Sequence, residues 1–306
     1  MGTRFTGLIL IVAGLCIVFG CNPGERGAGR PTPAGRQQKP ARPGTNGRPD
    51  NKTAKQPTLN ESLAEFFGRY VNDKGMVDYK TLRPRRLELI SLLRKFDGLT
   101  TKEYDSWPEE EKIAFWINAY NLCTIKVVID NYPIEASRYM LLFYPANSIR
   151  QISKPWTSYT FDIMQVKYTL REIEQGILLR QFDEPRVCFA LSYASVDGPR
   201  LRNEPYTGSK LEKQLDEQIR SFISNKRGFH INRKEAEVYL SAIFKWNAET
   251  LIKKYGTDRK FVDHPPDVRT ALNFVSNYLS RKDVDFLERK NYSVEYLKFD
   301  WTLNEQ

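Results

Sequence analysis

Thiols and imidazoles are few in this 306-residue chain, and their scarcity narrows its chemistry. The candidates are Cys16, Cys21, Cys123 and Cys188, with only His230 and His264 available as imidazole bases. Cys188, between Val187 and Phe189, reads as a residue of a core strand, where a free thiol packs as a small hydrophobe unless a nearby cation lowers its pKa. As a catalytic group it would need a histidine partner. His264 precedes Pro265-Pro266 in a loop and is the more accessible base, whereas His230 has the setting of a strand residue. Such partners meet in space and not in sequence, so an inert thiol and a Cys188–His264 nucleophile both stay open.

After that strand, Ser195-Val196-Asp197-Gly198-Pro199-Arg200 reads as a turn, and loops at strand ends often carry function. It lacks the Gly-x-Ser-x-Gly elbow of an esterase, so Ser195 and Asp197 are expected to bond the turn's own backbone. Arg186 and Arg200 flank the segment and are candidates to bracket an anionic ligand. Asn118 and Asn121, three apart in an apolar helix, share one face. A buried amide must find partners, so the pair either ties the helix to a neighbouring loop or lines a cleft and orients a substrate. The separated cysteines and histidines have no zinc spacing, and no glycine loop cradles a phosphate; no metal or cofactor is implied.

The elements that must position these groups are marked by Ser or Thr followed three residues later by Glu, the capping-box signature of a helix start. The pairs are Thr58 with Glu61, Ser106 with Glu109, Thr169 with Glu172, and Ser209 with Glu212. Helices are expected near 59–71, 84–96, 107–130, 170–180, 210–224, 242–254 and 267–280. Strands are expected over 159–169 with a break near Met164, over 186–192, in a hairpin over 229–240 turning at 233–235, and over 294–299. Helices and strands do not alternate regularly, so the expected class is α+β, helix-rich with a mainly antiparallel β-sheet, in one domain over 58–306.

The N-terminus carries a different kind of information. Arg4 precedes an apolar run from Phe5 to Phe19, then Gly20-Cys21, a pattern that resembles a bacterial lipoprotein signal peptide over residues 1–20. That run falls short of the roughly 20 residues a membrane span needs, so Cys21 is expected to become the acylated N-terminus. Residues 22–57 hold seven prolines, six glycines and no aromatic residue, with eight Lys or Arg against two acids. A segment of that composition cannot bury a core and is expected to be a disordered tether with an end-to-end distance of roughly 30–35 Å. It holds most of the chain's net charge of +10, leaving the folded part only mildly basic. The expected partners are therefore a membrane, reached through the lipid on Cys21, and anionic envelope polymers or headgroups, rather than nucleic acid. The expected location is the cell envelope.

Three segments, Ala114-Phe115-Trp116-Ile117-Asn118-Ala119-Tyr120-Asn121, Pro185 to Ser195, and Tyr296 to Asn304, together resemble the family catalogued as domain of unknown function 547. Leu170-Arg171-Glu172-Ile173-Glu174 and Ile243-Phe244-Lys245-Trp246 extend the resemblance, which runs over residues 60–304. Many members read His-Phe-Ala-Leu-x-Cys-x-Ser-x-x-Cys-Pro in the central segment. Here Cys188 stands for the His, Tyr193 for the first Cys and Gly198 for the second, while Ser195 and Pro199 match. Two function classes follow: a membrane-anchored binding or scaffolding module that has lost the family's His/Cys pattern, and a thiol-dependent hydrolase or transferase acting on an envelope peptide or polymer.

Overall fold

In the computed structural model, residues 57–289 and 291–306 are described; the signal segment, Cys21 and the tether up to residue 56 lie outside them. Helix α1 (Leu59–Tyr70) starts at the Thr58/Glu61 capping box, each side chain bonding the other's backbone N–H. A short α2 (Tyr79–Leu82) precedes α3 (Arg86–Asp97) and α4 (Thr101–Asp105). Helix α5 (Glu109–Asp130) then runs through the core, with nearly every residue from Ile113 to Ile129 buried. It is long and apolar enough to cross a membrane, yet it is enclosed by the rest of the protein and serves as the central helix.

Ser106 does not cap α5. It sits at the end of α4, donating its hydroxyl to the Glu103 carbonyl at 2.6 Å, and Pro108 takes the cap position. Glu109, Glu110 and Glu111 fill the first turn of α5, where negative charge is favoured by the helix dipole. Ser209 likewise makes no cap for α6 (Leu211–Ser224), and Glu212 turns instead to Arg186. The Thr169/Glu172 box does form.

The strands make two small sheets. β1 (Thr160–Ile163) and β2 (Val166–Thr169) are an antiparallel hairpin, turning at Met164 and Gln165, both with positive φ. β3 (Phe229–Asn232) and β4 (Glu237–Leu240) form the second antiparallel hairpin, and β5 (Ser293–Tyr296) adds parallel to β4. The class is therefore helix-rich α+β with mainly antiparallel pairing, as the sequence implies. The expected helix over 242–254 is two, α7 (Ala242–Trp246) and α8 (Ala248–Tyr255), with α9 (Pro266–Ser276) and α10 (Arg281–Arg289) following. Asn247 makes the break: its side chain donates to Ile243 O at 3.0 Å, and its own carbonyl accepts from Leu251 N at 3.0 Å.

Two expectations change in kind. The 170–180 helix is a π-helix over Glu172–Gln181, with Gly176, a poor α-helix former, at its middle. The segment expected as strand 186–192 is a tight 3₁₀ turn, Pro185–Phe189, followed by irregular chain. Pro185 fixes the first residue of that turn, and the Glu184 carboxylate caps Arg186 N at 3.0 Å. Val187 to Leu191 are buried throughout, so the apolar run has the burial of a core strand without its hydrogen bonding.

The core has two apolar clusters. One gathers α1, α3, α5 and the π-helix; the other gathers Cys188 and Phe189 with α6, α7, α9 and the three-stranded sheet. Trp156 and Trp301 pack against both.

Candidate functional site

At that seam lies a cavity of about 440 Å³, lined half by rings and half by polar side chains. The rings are Tyr144, Trp156, Tyr193, Trp246 and Trp301. Trp246 and Trp301 are stacked, centroids 5.5 Å apart and planes at 22°, and Trp156 meets Trp301 edge-on at 5.8 Å. Trp246, the last residue before the helix break at Asn247, also packs on Phe299 with centroids 4.9 Å apart and stays 47% exposed. Arg150 lies among the rings, its guanidinium carbon 4.6 Å from the Tyr144 centroid, 5.2 Å from Trp301 and 5.5 Å from Trp156.

Glu174 is the acid of the cavity. The π-helix buries it, and the Tyr193 hydroxyl donates to its Oε1 at 3.1 Å. Burial raises its pKa above the usual carboxylate value, against the lowering effect of the Tyr193 hydrogen bond and the Arg171 charge. Burial, and then the Glu174 charge, push the Tyr193 and Tyr120 hydroxyls well above their ordinary pKa. The Tyr120 hydroxyl is buried without a hydrogen-bond partner.

Cys188 does not reach the cavity lining. It is fully buried, and burial followed by the charges of Glu174 and Glu184 drives its thiol pKa well up, away from the thiolate a nucleophile needs. His264 packs against Tyr292, centroids 5.1 Å apart and planes tilted by 32°, in a separate groove with Arg259, Lys260 and Glu288, and burial lowers its pKa. His230 stacks on Tyr239 in the β3–β4 hairpin. The structure thus groups neither histidine with Cys188.

The asparagines are backbone clamps. Asn118 donates to Tyr206 O at 2.8 Å and accepts from Tyr206 N at 2.9 Å. Asn121 donates to Ala190 O at 3.1 Å and accepts from Ser192 N at 2.8 Å. The second clamp replaces the sheet partners that the Cys188 segment lacks, and it holds the chain that carries Tyr193 into the cavity.

Arg186 and Arg200 do not bracket an anion together. Arg186 grips Glu184 and Glu212, both through its Nη2 at 2.7 Å, while Arg200 donates to Asp73 O at 2.7 Å. Asp197 leaves its own turn, its carboxylate accepting from Asp300 N at 2.7 Å and pairing with Arg227. The Ser195 hydroxyl is buried with no partner, although its carbonyl does accept from Gly198 N at 3.2 Å. Among the described residues no three His, Cys, Asp or Glu side chains cluster as metal ligands.

Half of the residues that line the cavity fall within the sequence motifs, but nothing in the sequence joins them. Arg171 and Glu174, Tyr193, Trp246 and Trp301 come from four separate motif segments that the fold brings to one place. Tyr144 and Trp156 come from irregular chain and Arg150 from a 3₁₀ turn over Ile149–Gln151, none of them in a motif, and their signal is only aromatic and basic composition. Of the three positions that depart from the resembled pattern, Cys188, Tyr193 and Gly198, only Tyr193 lines this cavity, where it hydrogen-bonds Glu174.

The family model described as protein of unknown function, DUF547, matches residues 104–223, a narrower stretch than the 60–304 that carries the motifs. No curated protein and no solved structure matches the chain. The matched residues hold α5, the π-helix, the Cys188 turn and most of α6, so it is this central stretch of the chain that is similar to the DUF547 family.

Proposed function

We propose that this protein is an envelope lipoprotein, held on a membrane through Cys21 and its basic tether, whose DUF547 domain binds a small ligand in the aromatic cavity. The observation that carries the binding reading is the separation of Cys188 from the open site. The cavity offers ring faces, arginines and amides, groups suited to holding a ligand, while the thiol lies in the core beneath a buried acid that disfavours its ionisation. Anchoring rests on the sequence: an apolar run too short to span, ending at Gly20-Cys21.

Native mass spectrometry of the detergent-extracted full chain tests this reading. The expected result is a non-covalent ligand that is retained in Cys188→Ser and lost in Trp246→Ala. A covalent adduct on Cys188, or retention that is indifferent to Trp246, would overturn it.

A further inference from the structure

Arginines withdrawn from solvent normally keep an acid beside them, because a desolvated charge is unfavourable unless it is paired. Four arginines in the described residues are partly shielded rather than exposed: Arg150, Arg186, Arg202 and Arg269. Arg186 pairs with Glu184 and Glu212, Arg202 with Glu204 and Glu217, and Arg269 with Asp258. Arg150 stands apart, since its guanidinium pairs with no carboxylate of the described residues. Its Nη2 donates to the Tyr144 hydroxyl at 2.6 Å, and its Nε is buried with no partner. Three rings fix the plane of this guanidinium at the wall of the cavity.

Arg171, also in the lining, is likewise unpaired among the described residues at ion-pair distance, and its backbone N–H is tied to Trp156 O at 3.0 Å. The one acid of the lining, Glu174, is engaged by Tyr193. The lining therefore sets two guanidiniums against one carboxylate, and Arg150 is left paired to no acid among the described residues. A guanidinium held flat presents a fork that matches a carboxylate or phosphate.

The rest of the lining says what the anion is attached to. Trp246 offers a half-exposed ring, and Gln175 and Asn247 offer amides at the same cavity. An aromatic platform beside hydrogen-bonding side chains suits a ring with an apolar C–H face and a polar edge, the surface of a sugar. We propose that the cavity binds an acidic saccharide, its carboxylate received by Arg150 and Arg171 and its ring laid against Trp246. This rests on the binding reading above and assigns its ligand class.

The test is tryptophan-fluorescence titration of the detergent-solubilised full chain, since three of its five tryptophans line the cavity. The probes are glucuronic acid, N-acetylmuramic acid and N-acetylneuraminic acid, with glucose, benzoate and inorganic phosphate as controls. At least one sugar acid should give a saturable change, with glucose weaker by tenfold or more. Arg150→Gln should abolish the preference for the acid. Arg171→Ala, a substitution at an exposed position that leaves the core untouched, should weaken the same acid severalfold, so the proposal stays testable if Arg150→Gln fails to fold. Trp246→Ala should weaken every sugar. Equal binding of glucose and its acid, benzoate or phosphate matching the best sugar acid, or no saturable response to any of the three acids would overturn the proposal. Those outcomes leave non-covalent binding of some other ligand standing, whereas a Cys188 adduct would remove the binding reading itself.

Discussion

Replacing Asn121 by alanine separates the clamp reading of this residue from a ligand-orienting one. The substitution strands two buried backbone groups, the Ala190 carbonyl and the Ser192 N–H, now bonded at 3.1 and 2.8 Å. A buried polar group left without its partner costs about 1–3 kcal/mol, so the pair amounts to roughly 2–6 kcal/mol. Against a total of about 5–15 kcal/mol for a domain, the variant should be close to unfolding or unfolded at modest denaturant. Urea unfolding followed by circular dichroism measures this directly. Asn118→Ala, which frees the Tyr206 N–H and carbonyl, should lose a similar amount through a different loop. The two should differ in the native state: only Asn121→Ala releases the segment carrying Tyr193, so only it should disturb the cavity tryptophans before unfolding begins. A loss below about 1 kcal/mol for Asn121→Ala would refute the clamp, because no buried pair of backbone groups could then have been stranded.

Two further outcomes follow from the same structure. The pKa of Glu174 is raised by burial from 4.5, so the native state holds that proton more tightly than the unfolded chain; its contribution is complete below pH 4.5 and is lost as pH rises through the folded value. Glu174→Gln keeps an acceptor for Tyr193, and it should flatten that decline in urea midpoints measured upward from pH 4.5; an unchanged pH slope would count against the raised pKa. Cys21→Ser should abolish acyl labelling and release the protein from membranes, since the short apolar run cannot serve as a stable span; continued membrane retention with the apolar run uncleaved would contradict the anchor.

What was legible in the sequence was mostly local. The α5 helix announces itself by a long apolar run with acids at its start, and the β3–β4 hairpin by its alternating residues around Arg233-Lys234-Glu235. The Cys188 segment was not legible in the same way, because five buried apolar residues in succession suit a strand or a buried turn equally. Only the Asn121 clamp, a contact across 69 and 71 residues, fixes which one forms. The short α2 and α4 and the charged α10 lacked the long apolar periodicity that marks a helix. The cavity was legible only in pieces. Trp246 stands at a break that Asn247 makes in a helix the periodicity carries straight through, and Arg150 gains meaning only when the rings of Tyr144, Trp156 and Trp301 close around it. Arg186 and Arg200 look like an anion pair because sequence shows charges but neither the Glu184 and Glu212 that fold against Arg186 nor the Asp73 carbonyl that takes Arg200.

Native-state alkylation of the two core thiols most directly tests whether this domain holds ligands rather than performing thiol chemistry. Cys123 and Cys188 are both fully buried, with pKa values raised by burial, so both should react only through opening of the fold. Their rates near neutral pH should be alike and slower than in urea by about 10³-fold or more, as global opening requires. Rapid labelling of Cys188 alone, slowed by His264→Ala while circular dichroism is unchanged, would contradict the binding account and restore the thiol enzyme.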